Sequence, residues 1–128
     1  MNVHSEIKRV ESVLPGETAP DGAEDPRWQA IIQLHSFTQT DPEAMWAFAR
    51  RWGEFPDEDL RTAIAVCVLE HLLEHHFELL FPLVEQGVRE SPLFADCFSR
   101  CGKFGQSELP RNRARFEALQ ASIPVRAV

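Results

Sequence analysis

Three side chains that bind metals recur at a fixed spacing in one predicted helix. Cys67, His71 and His75 are four residues apart, so they lie on one stripe of that helix. Glu74 lies on the adjoining stripe. Thiolate, imidazole and carboxylate are all ligands of zinc and related ions. The spacing therefore indicates a metal site at Cys67, His71, Glu74 and His75, in a metal-binding protein or a metal-dependent enzyme.

Packing explains the same stripe without a ligand. One helix supplies two or three ligands at most, and nothing in the sequence fixes where the others would come from. In the zinc-protease pattern Glu follows the first His directly, whereas Leu72 follows His71 here. Cysteine is a common small core residue, and histidine near the end of a helix is favoured by the free carbonyl groups. We favour packing and keep metal binding as the alternative.

The remaining cysteines and glycines do not indicate an enzyme. Cys97 and Cys101 are four residues apart, and a disulfide between them would strain a helix. The sequence has no Gly-x-Ser-x-Gly elbow and no glycine-rich phosphate loop. We therefore expect three reduced thiols, no cofactor and, more readily than an enzyme, a protein without catalytic activity.

Tryptophans beside acidic residues indicate a binding surface. Trp46 and Trp52 are six residues apart, so they point to different sides of one helix. Either one of them is exposed, as in binding hot spots, or both are partly buried against neighbouring helices. The acidic residues that follow Trp52, which are Glu54, Asp57, Glu58 and Asp59, form either a contact surface or a solvated helix start. The predicted contact patch consists of Trp46, Trp52, Glu54, Asp57, Glu58 and Asp59.

Charge narrows the classes of partner. The 128 residues carry a formal charge of −7, with 13 Lys and Arg against 20 Asp and Glu. Nucleic-acid binding needs clustered positive charge, so that class is excluded. An acidic patch suits a basic protein, and we predict an interaction module such as an immunity-type or antitoxin-like inhibitor, or an adaptor. On this prediction, Lys at Asp57 and Asp59 weakens the complex and leaves the fold intact. A homo-oligomer that buries its spare aromatic surface is a third interpretation.

Capping residues and prolines divide the chain into helices. An N-cap residue followed by proline occurs at residues 25–26, 41–42 and 91–92. Apolar spacing predicts a long helix at 57–76 and another at 77–90, whose internal proline marks either its start or a kink. No segment alternates with the two-residue period of a strand. The sequence predicts an all-α fold of about five or six helices in antiparallel pairs.

One helical domain accounts for most of the chain. Residues 1–24 are predicted to be a lead-in and linker, and residues 25–128 a single α-helical domain. The longest nearly uncharged stretch is 62–69, and a membrane span needs about 20 residues. The first residues have no apolar stretch long enough for a signal peptide. We therefore expect a soluble, cytoplasmic protein.

The segment 57–69 resembles the first helix of a HEAT repeat. The residues that carry the resemblance are Pro56, Asp57, Leu60, Arg61, Ala63, Ala65 and Leu69. Segments 25–34 and 57–67 also echo each other at a period of about 33 residues. The resemblance to HEAT-like or armadillo-like proteins covers about residues 25–104 and implies stacked helix pairs whose surface binds other macromolecules. A HEAT-like superhelix and an irregular bundle both remain open. The stretch 70–106 also resembles small uncharacterised bacterial proteins.

Overall fold

Every regular element of the described chain is helical. The computed structural model describes residues 2–16, 19 and 24–124, and none of these residues lies in a strand. The elements are α1 (Val3–Glu11), α2 (Pro26–Ile32), α3 (Phe37–Thr40), α4 (Pro42–Trp52), α5 (Glu58–Ile64), a π-helical segment (Ala65–Leu69), α6 (Glu70–Glu90), α7 (Pro92–Ser99), a 3-10 turn (Gly105–Glu108) and α8 (Pro110–Ala121). The prediction of an all-α fold is confirmed.

Side-chain caps begin several of these helices. The side-chain oxygens of Asp25, Asp57 and Ser91 accept hydrogen bonds from backbone N–H groups two or three residues further along, at 2.8, 2.9 and 3.1 Å. Asp41 differs, because it makes no such cap and instead accepts a hydrogen bond from the Thr40 hydroxyl at 2.8 Å. The caps satisfy backbone donors that have no partner within the helix.

A break at His76 divides the longest helical stretch. His76 has φ −137° and ψ 46°, so the chain turns between the two predicted helices, 57–76 and 77–90. The Gln106 side chain bridges the backbone on the two sides of this break. It accepts a hydrogen bond from the Phe77 N–H at 2.9 Å and donates one to the His75 carbonyl at 2.8 Å. The sequence placed a start or a kink at Pro82, but the helix runs through this proline and its only non-helical residue is His76.

An aromatic cluster fills the core between α6, α7 and α8. Phe77 stacks on Phe81 with ring centroids 4.5 Å apart, and Phe98 meets Phe116 at 4.9 Å. All four rings are fully buried. The Arg115 guanidinium covers the Phe81 ring at 5.0 Å, so a charged group closes the cluster towards solvent.

The first helix belongs to this core, although the sequence set residues 1–24 apart as a lead-in and linker. Val3, Ile7 and Val10 are buried, as is Leu14 just after α1. Their spacing of three and four residues places them on one face, which packs against α2 and α4. Much of the predicted linker lies outside the described residues. Within the described part of the chain, no helix has both the length and the apolar character needed to cross a bilayer.

Candidate functional site

Two acids of the predicted contact patch hold a buried arginine. The Arg27 side chain is 2% exposed and pairs with Asp57 at 2.8 Å and with Asp59 at 3.1 Å. Trp28 also donates its indole N–H to Asp59 at 2.9 Å. The hydrogen bond from Arg27 holds the pKa of the Asp57 carboxyl below its usual value. Asp57 and Asp59 therefore stabilise the junction of α2 and α5.

This pairing argues against the expectation that Lys at positions 57 and 59 leaves the fold intact. Such a variant would place two further positive charges beside the buried Arg27 guanidinium and remove two of the carboxylates that pair with it, and breaking a buried ion pair is strongly destabilising. Lost binding by the variant would then report unfolding rather than a lost contact.

The other two acids of the patch remain accessible. Glu54 pairs with Arg50 and Glu58 with Arg100, each at 2.8 Å, and their side chains are 45% and 57% exposed. The hydrogen bond from Arg50 lowers the pKa of Glu54, so this carboxylate is charged at neutral pH. Exposed pairs of this kind contribute at most about 1 kcal/mol to stability, so both acids are available for intermolecular contacts.

Both tryptophans of the patch are partly buried, as the packing alternative expected. Trp52 contacts Phe55 with ring centroids 5.2 Å apart and donates its indole N–H to Glu11 at 2.6 Å. Trp46 lies edge-on to Phe94 at 5.6 Å. Its indole N–H has no hydrogen-bond partner among the residues that the structure describes. Trp46 therefore keeps a free donor, whereas Trp52 uses its donor within the fold.

The two histidines of the Cys67 stripe contact Glu74 on the adjoining stripe. His71 Nδ1 lies 2.9 Å from Glu74 Oε1, and His75 Nε2 lies 3.7 Å from the same oxygen. Burial, with the nearby Glu70 charge, raises the pKa of the Cys67 thiol to about 11, so the thiolate that binds metals is scarce at neutral pH. In the described ranges, no group of three or more His, Cys, Asp or Glu side chains is arranged to hold a metal ion. The metal hypothesis gains no support from this geometry.

The other two thiols are buried donors. Cys97 Sγ donates to the Arg61 carbonyl at 3.4 Å, and Cys101 Sγ to the Ala65 carbonyl at 3.5 Å. Burial raises the pKa of Cys97 to about 12 and that of Cys101 well above its usual value. Both cysteines carry free thiols, and their contacts join α7 and the residues just after it to the helical stretch that contains the π-helical segment.

Glu70 is a buried carboxyl that the predicted metal site does not include. It lies at the start of α6 and accepts a hydrogen bond from the Gly102 N–H at 2.8 Å. Burial raises its pKa, and the Gly102 N–H opposes that shift in part. A carboxyl of this kind favours folding while it is protonated, and the contribution is lost as the pH rises through its folded-state pKa.

Glu70→Gln is therefore expected to stabilise the fold at about pH 7, because the amide oxygen keeps the Gly102 contact and carries no charge. At about pH 4, where Glu70 is largely protonated, the variant and the parent chain should have similar urea midpoints. Glu78→Gln is the matched control, since Glu78 is 72% exposed, and it should change the midpoint little at either pH. A Glu70→Gln gain that persists undiminished at acid pH would contradict this account.

A shallow groove separates α4 from α6. It has a volume of about 180 Å³ and is lined by Trp46, Arg50, Leu83, Gln86, Gly87 and Glu90. A Cβ atom at Gly87 would lie 2.9 Å from the Phe94 ring, so glycine allows α6 to approach this ring closely. Leu83 is 38% exposed, and Leu79, one turn earlier on α6, is 51% exposed. We call this feature the α4–α6 groove.

The sequence analysis identified Trp46 as a site residue but missed the leucines of α6.

No protein-family model matches the chain, and neither a curated protein nor a solved structure matches it. The HEAT-like resemblance therefore stays a prediction, and any function has to be argued from the site itself.

Proposed function

We propose that the chain is a protein-interaction module that binds a basic partner protein through an acidic face around Trp46. The acidic face consists of Trp46 with Glu43, Glu54 and Glu90. Of the originally predicted patch, Trp46 and Glu54 stay in the proposal. The acids that hold Arg27 serve the fold instead, and so does Trp52, while Glu58 pairs with Arg100 and is not part of this face.

The observation that carries the proposal is an excess of carboxylates beside a half-buried indole. Arg50 is shared, with Glu54 at 2.8 Å and Glu90 at 3.6 Å. Glu43 lies one helical turn before Trp46 on α4 and has no ion-pair partner within the described residues. Two carboxylates therefore share the Arg50 guanidinium, and the third carboxylate of the face, Glu43, has no compensating charge within the described residues.

The overall charge of −7 has the same sign as this face. Complementary charge speeds association and selects the partner, while a buried aromatic anchor supplies affinity. An inhibitor of a basic protein, of the immunity or antitoxin type, and an adaptor both fit this surface.

The proposal predicts a basic partner that is lost at high salt. The untagged chain is purified from its host at low and at high ionic strength, and co-purifying proteins are identified by mass spectrometry. Salt screens contacts between exposed charges, so a partner held by the acidic face should be retained only at low ionic strength. Absence of a basic partner under both conditions would refute the proposed function.

Charge reversal localises the contact. Glu43→Lys with Glu90→Lys should weaken the complex about tenfold or more, a loss of about 1.4 kcal/mol. Glu108→Lys with Glu117→Lys makes the same change of net charge on α8 and the turn before it, and should change the affinity little. Equal losses in the two variants would mean that net charge, and not this face, recruits the partner.

A further inference from the structure

We propose that the α4–α6 groove docks one amphipathic helix of the partner, with basic residues flanking an apolar stripe. This inference rests on the proposed function and names the structural element that the acidic face would receive. Trp46 and Leu83, the large apolar side chains that line the groove, would contact the stripe, and the neighbouring carboxylates would pair with the basic flanks.

The exposed residues of α6 follow the spacing of a helix–helix seam. Leu79, Leu83, Gln86 and Glu90 are separated by four, three and four residues, which places them on one stripe of α6. The stripe is about 16 Å long at 1.5 Å per residue. A partner helix of about three turns would cover it.

The apolar part of the stripe meets the indole of α4. Leu83 and Trp46 line the same groove, and Leu79 extends it by one turn along α6 with half of its surface exposed. The Phe94 ring beneath Trp46 is fully buried. Because a packed core holds this anchor in place, a partner would lose little freedom of the Trp46 side chain on binding.

The charges at the polar end of the groove indicate that the partner helix carries positive charge. Gln86 donates to Glu90 at 3.1 Å, and Arg50 reaches both Glu90 and Glu54. One guanidinium between two carboxylates leaves the end of the groove negative. Glu43, one turn before Trp46 on α4, adds a further negative charge outside the residues that line the groove. Lys or Arg on both flanks of a helix would complement these carboxylates.

A helix fits this surface better than a strand or a second copy of the chain. Both walls are helices whose backbone groups are bonded internally, and the described residues offer no sheet edge for strand addition. A second copy would bring two acidic faces together, each from a chain of charge −7, and like charges across an interface oppose association.

The test is a selection of peptides. Peptides of about 15 residues, long enough to form a helix, carry a fixed apolar stripe at the i, i+3, i+4, i+7 spacing and flanks randomised among Lys, Glu and Gln. They are selected on the full chain, and the affinities of the winners are measured by fluorescence anisotropy. Lys-rich flanks should be enriched over Glu-rich flanks.

Two leucine variants serve as the matched pair. Leu83→Glu should weaken the selected peptides at least about tenfold, which corresponds to about 1.4 kcal/mol. Leu109→Glu makes the same change at a residue that is 55% exposed and does not line the groove, and it should leave the affinity unchanged. Equal urea midpoints of the two variants would confirm that both are folded.

The outcomes separate this inference from the proposed function. If no helical peptide is enriched, or if the winners bind the Leu83→Glu variant as well as the parent chain, the helix-docking inference is overturned. Retention of a basic partner from the host in that case would leave the proposed function standing. If light scattering shows a dimer that Leu83→Glu dissociates, the groove is assigned to a second copy, and the inference is overturned as well.

Discussion

Asp57→Lys is expected to lower the free energy of unfolding by about 4 kcal/mol, a large part of the stability of a small domain. The Arg27 side chain is 2% exposed, and within the described residues it pairs with Asp57 at 2.8 Å, with Asp59 at 3.1 Å and with Asp25 at 3.6 Å. Lysine at position 57 replaces one of the carboxylates that compensate the Arg27 charge with a like charge. Asp57 also caps α5 by accepting the Asp59 N–H, and loss of a cap contributes about 1 kcal/mol.

Urea unfolding followed by circular dichroism measures this effect. Glu54→Lys is the matched control, because it makes the same charge change three residues away at a side chain that is 45% exposed, and it should change stability by less than about 1 kcal/mol. Asp57→Asn should fall between the two, because its side-chain oxygen can still cap the helix. Coinciding midpoints for Asp57→Lys and Glu54→Lys would disprove the structural role of this ion pair.

The Asp57 carboxylate also makes the stability of the fold depend on pH. Its pKa is held below the ordinary 3.8, mainly by the hydrogen bond from Arg27. A carboxyl with a lowered folded-state pKa contributes stability above its ordinary pKa, and that contribution is lost as the pH falls through the folded-state value. The parent chain should therefore lose stability below about pH 4 more steeply than Asp57→Asn does.

The sequence predicts the local elements of the fold because their signals are local. The caps at Asp25 and Ser91 lie within three residues of the N–H groups that they accept. The sequence also predicts a division between helices 57–76 and 77–90, and His76, the non-helical residue of α6, lies at that division. The hydrogen bonds of Gln106 to His75 and Phe77 are not predictable from local signals, because they join residues about thirty positions apart.

The acidic cluster shows why the contact patch was only partly predictable. Four acids lie within residues 54–59, yet Asp57 and Asp59 pair with α2, Glu54 pairs within α4 and its flank, and Glu58 pairs with Arg100 after α7. The sequence shows only that these four acids lie in one segment. Only tertiary packing decides which of them face a buried arginine and which face solvent.

The leucines of the groove were missed for a related reason. Leu80 and Val84 on α6 have the same spacing as Leu79 and Leu83, and the first pair is buried while the second is exposed. A helix that is apolar on more than one face does not reveal from its own sequence which face the core covers. The break at His76 makes this harder, because it changes the direction of the helix partway along the pattern.

Arg61→Ala is expected to lower the free energy of unfolding by about 3 kcal/mol. The Arg61 side chain is 4% exposed and reaches Asp96 at 2.9 Å. It also donates to the carbonyls of Phe55 and Pro56 at 2.9 and 2.8 Å. Its removal leaves acceptors of the loop before α5 without this donor, and an unsatisfied buried acceptor costs about 1–3 kcal/mol.

Arg100→Ala is the control, because Arg100 bonds the same Asp96 carboxylate at 3.0 Å from a side chain that is 24% exposed. Burial raises the pKa of Asp96, but the hydrogen bonds from Arg100 and Arg61 outweigh it and hold that pKa below its usual value. Each variant removes one of those two partners. The two arginines also differ in burial and in their other contacts, which are the loop carbonyls for Arg61 and the side chains of Glu58 and Thr62 for Arg100. Urea midpoints should show a loss for Arg100→Ala of about 1 kcal/mol. If Arg100→Ala loses as much stability as Arg61→Ala, the Asp96 carboxylate is the main source of the stabilisation. The smaller loss that we predict would instead assign it to the buried Arg61 contacts that join the loop before α5 to α7.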